Sequence, residues 1–144
     1  MAYDKPLPVI DELTRPFWDH AREHRLAVQR CNTCGDLHFP PSPVCPVCLS
    51  SEQDWQRVSG AATLMSWARF HRAYWDGFRQ SLPYDVCVVR LAEGPVLVSN
   101  FAGAPPASPH MGMALRVVFD DVTPEISLPR FEATSTAAQG DNRC

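Results

Sequence analysis

Four of the six cysteines fall in two Cys-x-x-Cys pairs, Cys31-Asn32-Thr33-Cys34 and Cys45-Pro46-Val47-Cys48, with ten residues between the inner two. Each pair delivers two thiolates from one tight backbone turn, and a short hairpin between them can bring the turns face to face. Four thiolates so placed close a tetrahedral shell around zinc, with Zn–S near ~2.3 Å. No position is left for water, which makes the expected metal structural rather than catalytic. An S4 cage suits iron as well as zinc, and the spacing alone leaves that choice open. A rubredoxin-like electron carrier would be built around the site alone, whereas about two-thirds of this chain lies beyond it. Two disulfides are the other alternative, and they need an oxidising compartment. Gly35 stands where the chain must turn sharply past the sulfurs, and Pro46 stiffens the second turn.

Other reactive side chains form no constellation. Cys87 lies mid-strand in Asp85-Val86-Cys87-Val88-Val89 and reads as an inert small hydrophobe. Cys144 sits on the C-terminal tail. His20 and His24 have i,i+4 spacing without the Glu of a zincin motif. His38 lies between the cysteine pairs, but four sulfurs already complete a shell, and His110 is in a proline-rich loop. No carboxylate pair, glycine-rich phosphate loop or Ser-His-Asp signature is present. His71 opens the longest loop, His71 to Arg79, which with Phe70 before it carries Arg72, Tyr74, Trp75 and Phe78. Aromatics with arginine are enriched at protein interfaces. Arg72 and Arg79 could also meet phosphates. The same residues could simply cover one mouth of a barrel.

The elements that must hold these groups are short. Residues 1–13 read as a flexible or docking arm. Thr14 can cap a helix running to about His24, with Pro16 tolerated in its first turn and Phe17 and Ala21 on one face. Trp18 packs on the ribbon or on a partner. Leu26 to Arg30 leads as a strand into the first cysteine pair, and Leu37 to Phe39 returns before Pro40-Pro41 ends it. A boundary at 52/53 separates this unit, residues 14–52, from a β-rich body over 53–132. That body offers Trp55–Val58, a bend or bulge at Ser59-Gly60, Thr63–Arg72, Tyr84–Leu91, a hairpin turn at Glu93-Gly94, Val96–Ala102, Met113–Phe119 and Leu128–Phe131. Alternation over Thr63–Arg72 sets Leu64, Ser66, Ala68 and Phe70 against Thr63, Met65, Trp67 and Arg69. The tail 133–144 is small and polar and reads as disordered. The fold class is mainly β: an N-terminal helix, a rubredoxin-like zinc ribbon and a five-stranded OB-fold barrel, with an SH3-like barrel as the rival.

Composition narrows the function. The 144 residues are 45% hydrophobic, with 13 basic and 16 acidic side chains and a net charge of −3. Zinc ribbons and OB-folds both bind nucleic acids, which makes a nucleic-acid-binding module the alternative reading. Such binders are usually basic, but Trp55 to Glu132 balances seven arginines against seven acids, so no nucleic acid is expected as a partner. The start Met1-Ala2-Tyr3-Asp4-Lys5 lacks the apolar core of a signal peptide, and no apolar run approaches a membrane span, so a soluble cytoplasmic protein is expected. Fourteen prolines favour short strands and loops over long helices.

These residues resemble the zinc-ribbon plus OB-fold family long called a domain of unknown function, whose members are often labelled acyl-CoA-associated. The resemblance runs from Pro16-Phe17-Trp18 through Leu26-Ala27-Val28-Gln29-Arg30-Cys31, Cys34-Gly35, Phe39-Pro40-Pro41 and Val44-Cys45-Pro46 to Cys48. It continues through Ser59-Gly60, Ser66-Trp67, Phe70-His71-Arg72, Pro83-Tyr84, Glu93-Gly94, Arg116-Val117-Val118-Phe119 and Leu128-Pro129-Arg130-Phe131. Ala61-Ala62 stands where the family often has a second glycine, and Leu49 where a glycine commonly follows the second cysteine pair. The resemblance implies a structural zinc and a thiolase-like partner of the sterol-carrier type. It implies a complex that acts on acyl-CoA thioesters, with retro-aldol cleavage as in steroid side-chain degradation favoured and acyl transfer second. It also implies that the partner carries the catalytic residues while this chain helps line the CoA or substrate channel. The loop Phe70 to Phe78 is then the expected docking surface.

Overall fold

A computed structural model describes residues 3–134. Helix α1 (Arg15–Arg22) is followed by β1 (Leu26–Cys31), β2 (Leu37–His38), β3 (Gln53–Val58), β4 (Ala61–Phe70), a 3-10 turn (Asp76–Ser81), β5 (Tyr84–Leu91), β6 (Val96–Ser99), β7 (Ala114–Asp121) and β8 (Ser127–Ala133). The first sheet has the order β2-β1-β3 and the second β6-β5-β4-β7-β8. The second sheet curls, and its outer strands meet where Phe101 bridges Phe131 in parallel and the Ala102 amide donates to the Phe131 carbonyl at 2.7 Å. This is the five-stranded OB architecture expected of the body. No helix of the described residues is long and apolar enough to cross a membrane.

The helix begins at Arg15, directly after Thr14, where its sequence signal places it. Thr14 makes no side-chain cap to the helix. Asp11 and Thr14 instead bond reciprocally: the Thr14 amide donates to Asp11 Oδ1 at 2.8 Å, and the Asp11 amide to Thr14 Oγ1 at 3.1 Å. These bonds, the Thr14 amide first, hold the Asp11 carboxyl below its ordinary value. At the other end His24 takes a left-handed φ of 60°. The Arg25 amide reaches the His20 carbonyl and the His24 amide that of Ala21, a Schellman closure. His24 then stacks on Phe119 at 5.4 Å and meets Asp121 at 2.9 Å, fastening the helix end to the barrel. Phe17 and Ala21 are buried as expected, and Trp18 packs edge-on against Phe17.

β3, grouped with the barrel on pattern alone, pairs along its length with β1, from Leu26 opposite Val58 to Cys31 opposite Gln53. The joint between the sheets therefore falls at Ser59-Gly60. Gly60 has φ +86°, and a Cβ there would lie 2.4 Å from Val117 Cγ1. The bulge is not at Gly60 but between Leu64 and Ser66. It carries the strand past one residue, so Leu64 opposite Val89 and Trp67 opposite Cys87 share the inner face. The expected two-face division of Thr63–Arg72 therefore shifts after Leu64: Trp67 and Arg69 share the sheet face of Leu64 while staying exposed, and Ser66, Ala68 and Phe70 take the other face. One buried cluster runs through both sheets, from Phe17, Leu26, Val28 and Val58 to Leu64, Val89, Leu115 and Phe131. Ala133, assigned to a disordered tail, pairs with Leu115 in β8. The rest of that expectation, with Cys144, lies outside the described residues.

Candidate metal centre and aromatic cleft

The two cysteine pairs are built as copies of one turn. The Gly35 amide donates to the Cys31 carbonyl at 2.9 Å, and the Leu49 amide to that of Cys45 at 2.9 Å. The Cys31 amide reaches the Asp36 carbonyl, and the Cys45 amide reaches that of Ser50, both closing the turn behind the sulfurs. Both turns need a left-handed residue, at φ +81° for Gly35 and 66° for Leu49. Leu49 thus stands where glycine would be free of strain, and its side chain projects outward, 72% exposed.

Cys31, Cys34, Cys45 and Cys48 place their sulfurs within 4.8 Å of one another. Cys31 to Cys48 measures 3.5 Å and Cys34 to Cys45 3.6 Å. A tetrahedron with Zn–S near ~2.3 Å has an edge of about 3.8 Å, so the cage fits zinc with a slight expansion. Amides also point at the sulfurs: Thr33 and Cys34 toward Cys31 Sγ, and Val47 toward Cys45 Sγ. The Cys34 amide is the largest cause holding the Cys31 thiol down, to about 6, against the opposing effect of burial. Cys31 and Cys45 are buried and Cys34 and Cys48 are at the surface. His38 is buried beside this cage with its Nδ1 3.2 Å from Asp36 Oδ2, and the four sulfurs complete the shell without it.

The aromatic loop lies on the other half of the molecule. Phe70 and Tyr84 are cross-strand partners whose rings stack at 5.3 Å, and Phe78 stacks on the far side of Tyr84 at 4.9 Å. Phe78 is half-buried this way, and Tyr74 and Trp75 are left outermost, each 60% exposed. Tyr74 leans on Phe70, and Arg72 lies over the Tyr74 ring at 5.4 Å. Arg79 turns back onto Asp76 at 2.9 Å, and His71 is exposed at the strand end. The loop is therefore half barrel cover and half free surface.

Beside it opens a cleft of about 740 Å³, with walls that include Phe78, Tyr84, Phe101 and Phe119. Arg72 and Arg79, the sequence candidates for phosphate contact, do not line it; the cations there are Lys5 and Arg130. Arg130 is held by Asp120 at 2.9 Å and by Asn100 at 3.3 Å. A smaller hollow of about 260 Å³ adjoins it, lined by Trp67, Arg69 and Asp85, whose ion pair is two-pronged at 2.9 and 3.2 Å. Cys87 is buried and its thiol is pushed up to about 11, chiefly by burial. The sequence carries no sign that Tyr84, Lys5 and Arg130 share a cleft. Tyr84 was recoverable from the strand alternation once paired with Phe70; Lys5 and Arg130 become neighbours only through tertiary contact.

Residues 18–53 match the family model described as the rubredoxin-like zinc ribbon domain of ChsH2, and residues 55–120 its C-terminal OB-fold domain. The chain is 33% identical over 127 residues to a probable enoyl-CoA hydratase alpha subunit of Thermomonospora curvata, covering 88% of this chain but only 39% of that longer protein. It is 33% identical over 103 residues to a DUF35 domain-containing scaffold protein of Pyrococcus furiosus, covering 71% of this chain and 74% of the relative. The solved structure of the Ltp2-ChsH2(DUF35) aldolase superposes with a TM-score of 0.77 at 32% identity, covering 88% of this chain and 98% of the matched one.

Proposed function

The chain belongs to the DUF35 family of ChsH2-type zinc-ribbon and OB-fold proteins, and from that premise we propose that it is the non-catalytic subunit of an acyl-CoA enzyme. The observation that carries this reading is the loop that holds Tyr74 and Trp75 out to solvent on a firmly stacked base of Phe70, Tyr84 and Phe78. Ordered, exposed aromatics with Arg72 among them have the composition of an interface anchor. The described residues hold no nucleophile paired with a base, so the chemistry belongs to the partner.

That partner is a thiolase-like subunit of the sterol-carrier type. The docking residues are Phe70, His71, Arg72, Tyr74, Trp75 and Phe78, with the N-terminal helix as a second contact. The cleft next to the loop would face the junction and help hold the CoA thioester. Zinc at Cys31, Cys34, Cys45 and Cys48 would serve the fold, which suits a reducing cytoplasm where thiolates stay free. Among reactions we favour retro-aldol cleavage of a β-hydroxyacyl-CoA, a steroid side chain being the substrate class, with acyl transfer second. The likeness to the Ltp2-ChsH2(DUF35) aldolase supports the first choice. Service to an enoyl-CoA hydratase is the second reading, favoured by the hydratase alpha subunit that contains a similar region.

The experiment is to mix the purified chain with the thiolase-like subunit from the same source and follow association and turnover. Carbon–carbon cleavage that needs both proteins supports the proposal. A catalytic subunit at full rate alone, or turnover by this chain alone, refutes it. Water addition to an enoyl-CoA without cleavage moves the assignment to the hydratase reading.

A further inference from the structure

The aromatic loop carries a second, intramolecular contact. Gly77 lies in the 3-10 turn, and a Cβ built there would stand 2.2 Å from the Asp4 carbonyl oxygen and 3.1 Å from the Lys5 amide nitrogen. These are backbone atoms, which cannot swing aside as a side-chain tip would. The arm therefore lies directly on the loop, in a seat that only glycine leaves open. Next to this seat the Lys5 ammonium sits 5.5 Å from the centre of the Phe78 ring and 5.7 Å from that of Tyr3. Tyr3, Lys5 and Pro6 together make one wall of the large cleft.

The seat is shaped but weakly tied. Among the described residues, no backbone hydrogen bond joins residues 3–8 to the barrel. Pro6 and Pro8 have no amide to offer a ladder. Leu7 and Val9 on the stretch between are exposed. Firm attachment resumes at the Asp11–Thr14 turn. Each cation–π contact at an exposed site shifts an equilibrium by a factor of only about 2–5. A fitted seat, an unanchored connector and a fixed root are the parts of a latch.

We propose that Tyr3–Pro6 is a displaceable strap over the aromatic loop, closing one wall of the cleft and governing access to the Phe78 face. Its biological sense rests on the loop being the docking surface, since a partner covering Phe78 must lift the strap first. Its existence does not. Closed, it leaves Tyr74 and Trp75 exposed for first contact; lifted, it adds the Phe78 ring and opens the cleft.

The test uses the zinc-loaded full chain, a variant lacking residues 1–8, Gly77→Ala and Lys5→Ala. Gly77 has no left-handed φ, and the three atoms nearest a Cβ added there all belong to the strap. Hydrogen exchange of residues 76–84 and the fluorescence of added 1-anilinonaphthalene-8-sulfonate report exposure without any partner. We expect faster exchange and brighter dye in all three variants, by about 2–5-fold for Lys5→Ala. Gly77→Ala is expected to add nothing to the truncation. Unchanged exchange and dye binding on truncation overturn the strap, as does a Gly77→Ala effect that persists in full without the arm. Should these readouts succeed while no thiolase-like subunit binds, the strap stands and the proposed function falls.

Discussion

Trp75→Ala separates docking from folding better than any other substitution in the loop. Trp75 is 60% exposed, and its ring lies 6.5 Å from Phe78 with tilted planes, so little of it is used within the chain. A Trp presents up to about 250 Å² for burial, and covering the free 60% would remove about 150 Å² from water, or about 3–4 kcal/mol at ~25 cal/mol/Å². Ordering costs at an interface reduce this to an expected loss of about 2–3 kcal/mol on truncation, a roughly 30- to 150-fold weaker Kd. Unfolding free energy is expected to change by less than about 1 kcal/mol, as for other exposed sites. Isothermal titration with the proposed thiolase-like partner gives the first quantity, and urea unfolding of the zinc-loaded chain the second. Phe78→Ala would not serve, because its stack with Tyr84 and its contact with Lys5 make any binding defect ambiguous. A Kd within threefold of the parent for Trp75→Ala refutes the docking argument, and a stability loss above about 2 kcal/mol refutes the reading of Trp75 as free surface.

One zinc per chain is expected by elemental analysis, and Cys45→Ser is expected to unfold the ribbon, since structural zinc contributes on the order of 10 kcal/mol; a metal-free chain of unchanged stability would contradict this. Gly60→Ala combines a left-handed alanine with a collision against Val117, at a cost of about 2–4 kcal/mol in urea unfolding. Val117→Ala in the same chain is expected to recover part of that loss, and strict additivity would rule the collision out. The Cys87 thiol, raised from 9.0 to about 11 by burial, favours the fold fully below pH 9, and that contribution is lost as pH rises through about 11. Iodoacetamide at pH 8 should accordingly leave Cys87 unlabelled in the folded chain, as mass spectrometry can check.

The cysteine cage was legible because each pair is a local object: two ligands, one turn, one left-handed residue. Strands β5 and β7 were legible for a similar reason, their alternation being written in consecutive residues. What escaped depends on partners far along the chain. Trp55–Val58 reads as a strand, but nothing within it says that β3 pairs with Leu26–Cys31 rather than with the barrel. The extra residue in β4 follows from the paths of β5 and β7, and it reversed the facing of Trp67 and Arg69 against simple alternation. Thr14 was a sound cap by type, yet Asp11 three residues earlier supplied the competing bond. The arm reads as flexible or docking, and its seat against the Gly77 backbone has no mark in the sequence.

The shared core has a consequence for supply. Val28 on the cysteine-bearing strand and Val58 on its neighbour belong to the same buried cluster as Leu64 and Phe131. Metal occupancy and barrel integrity are therefore linked through mass action: a ligand that binds only the native chain raises its population in proportion to free concentration over Kd. The outward loop inherits that dependence although it lies on the other half of the fold. Scarcity of zinc would reduce the pool of native chains and with it, on the proposed function, the pool of subunits competent to assemble.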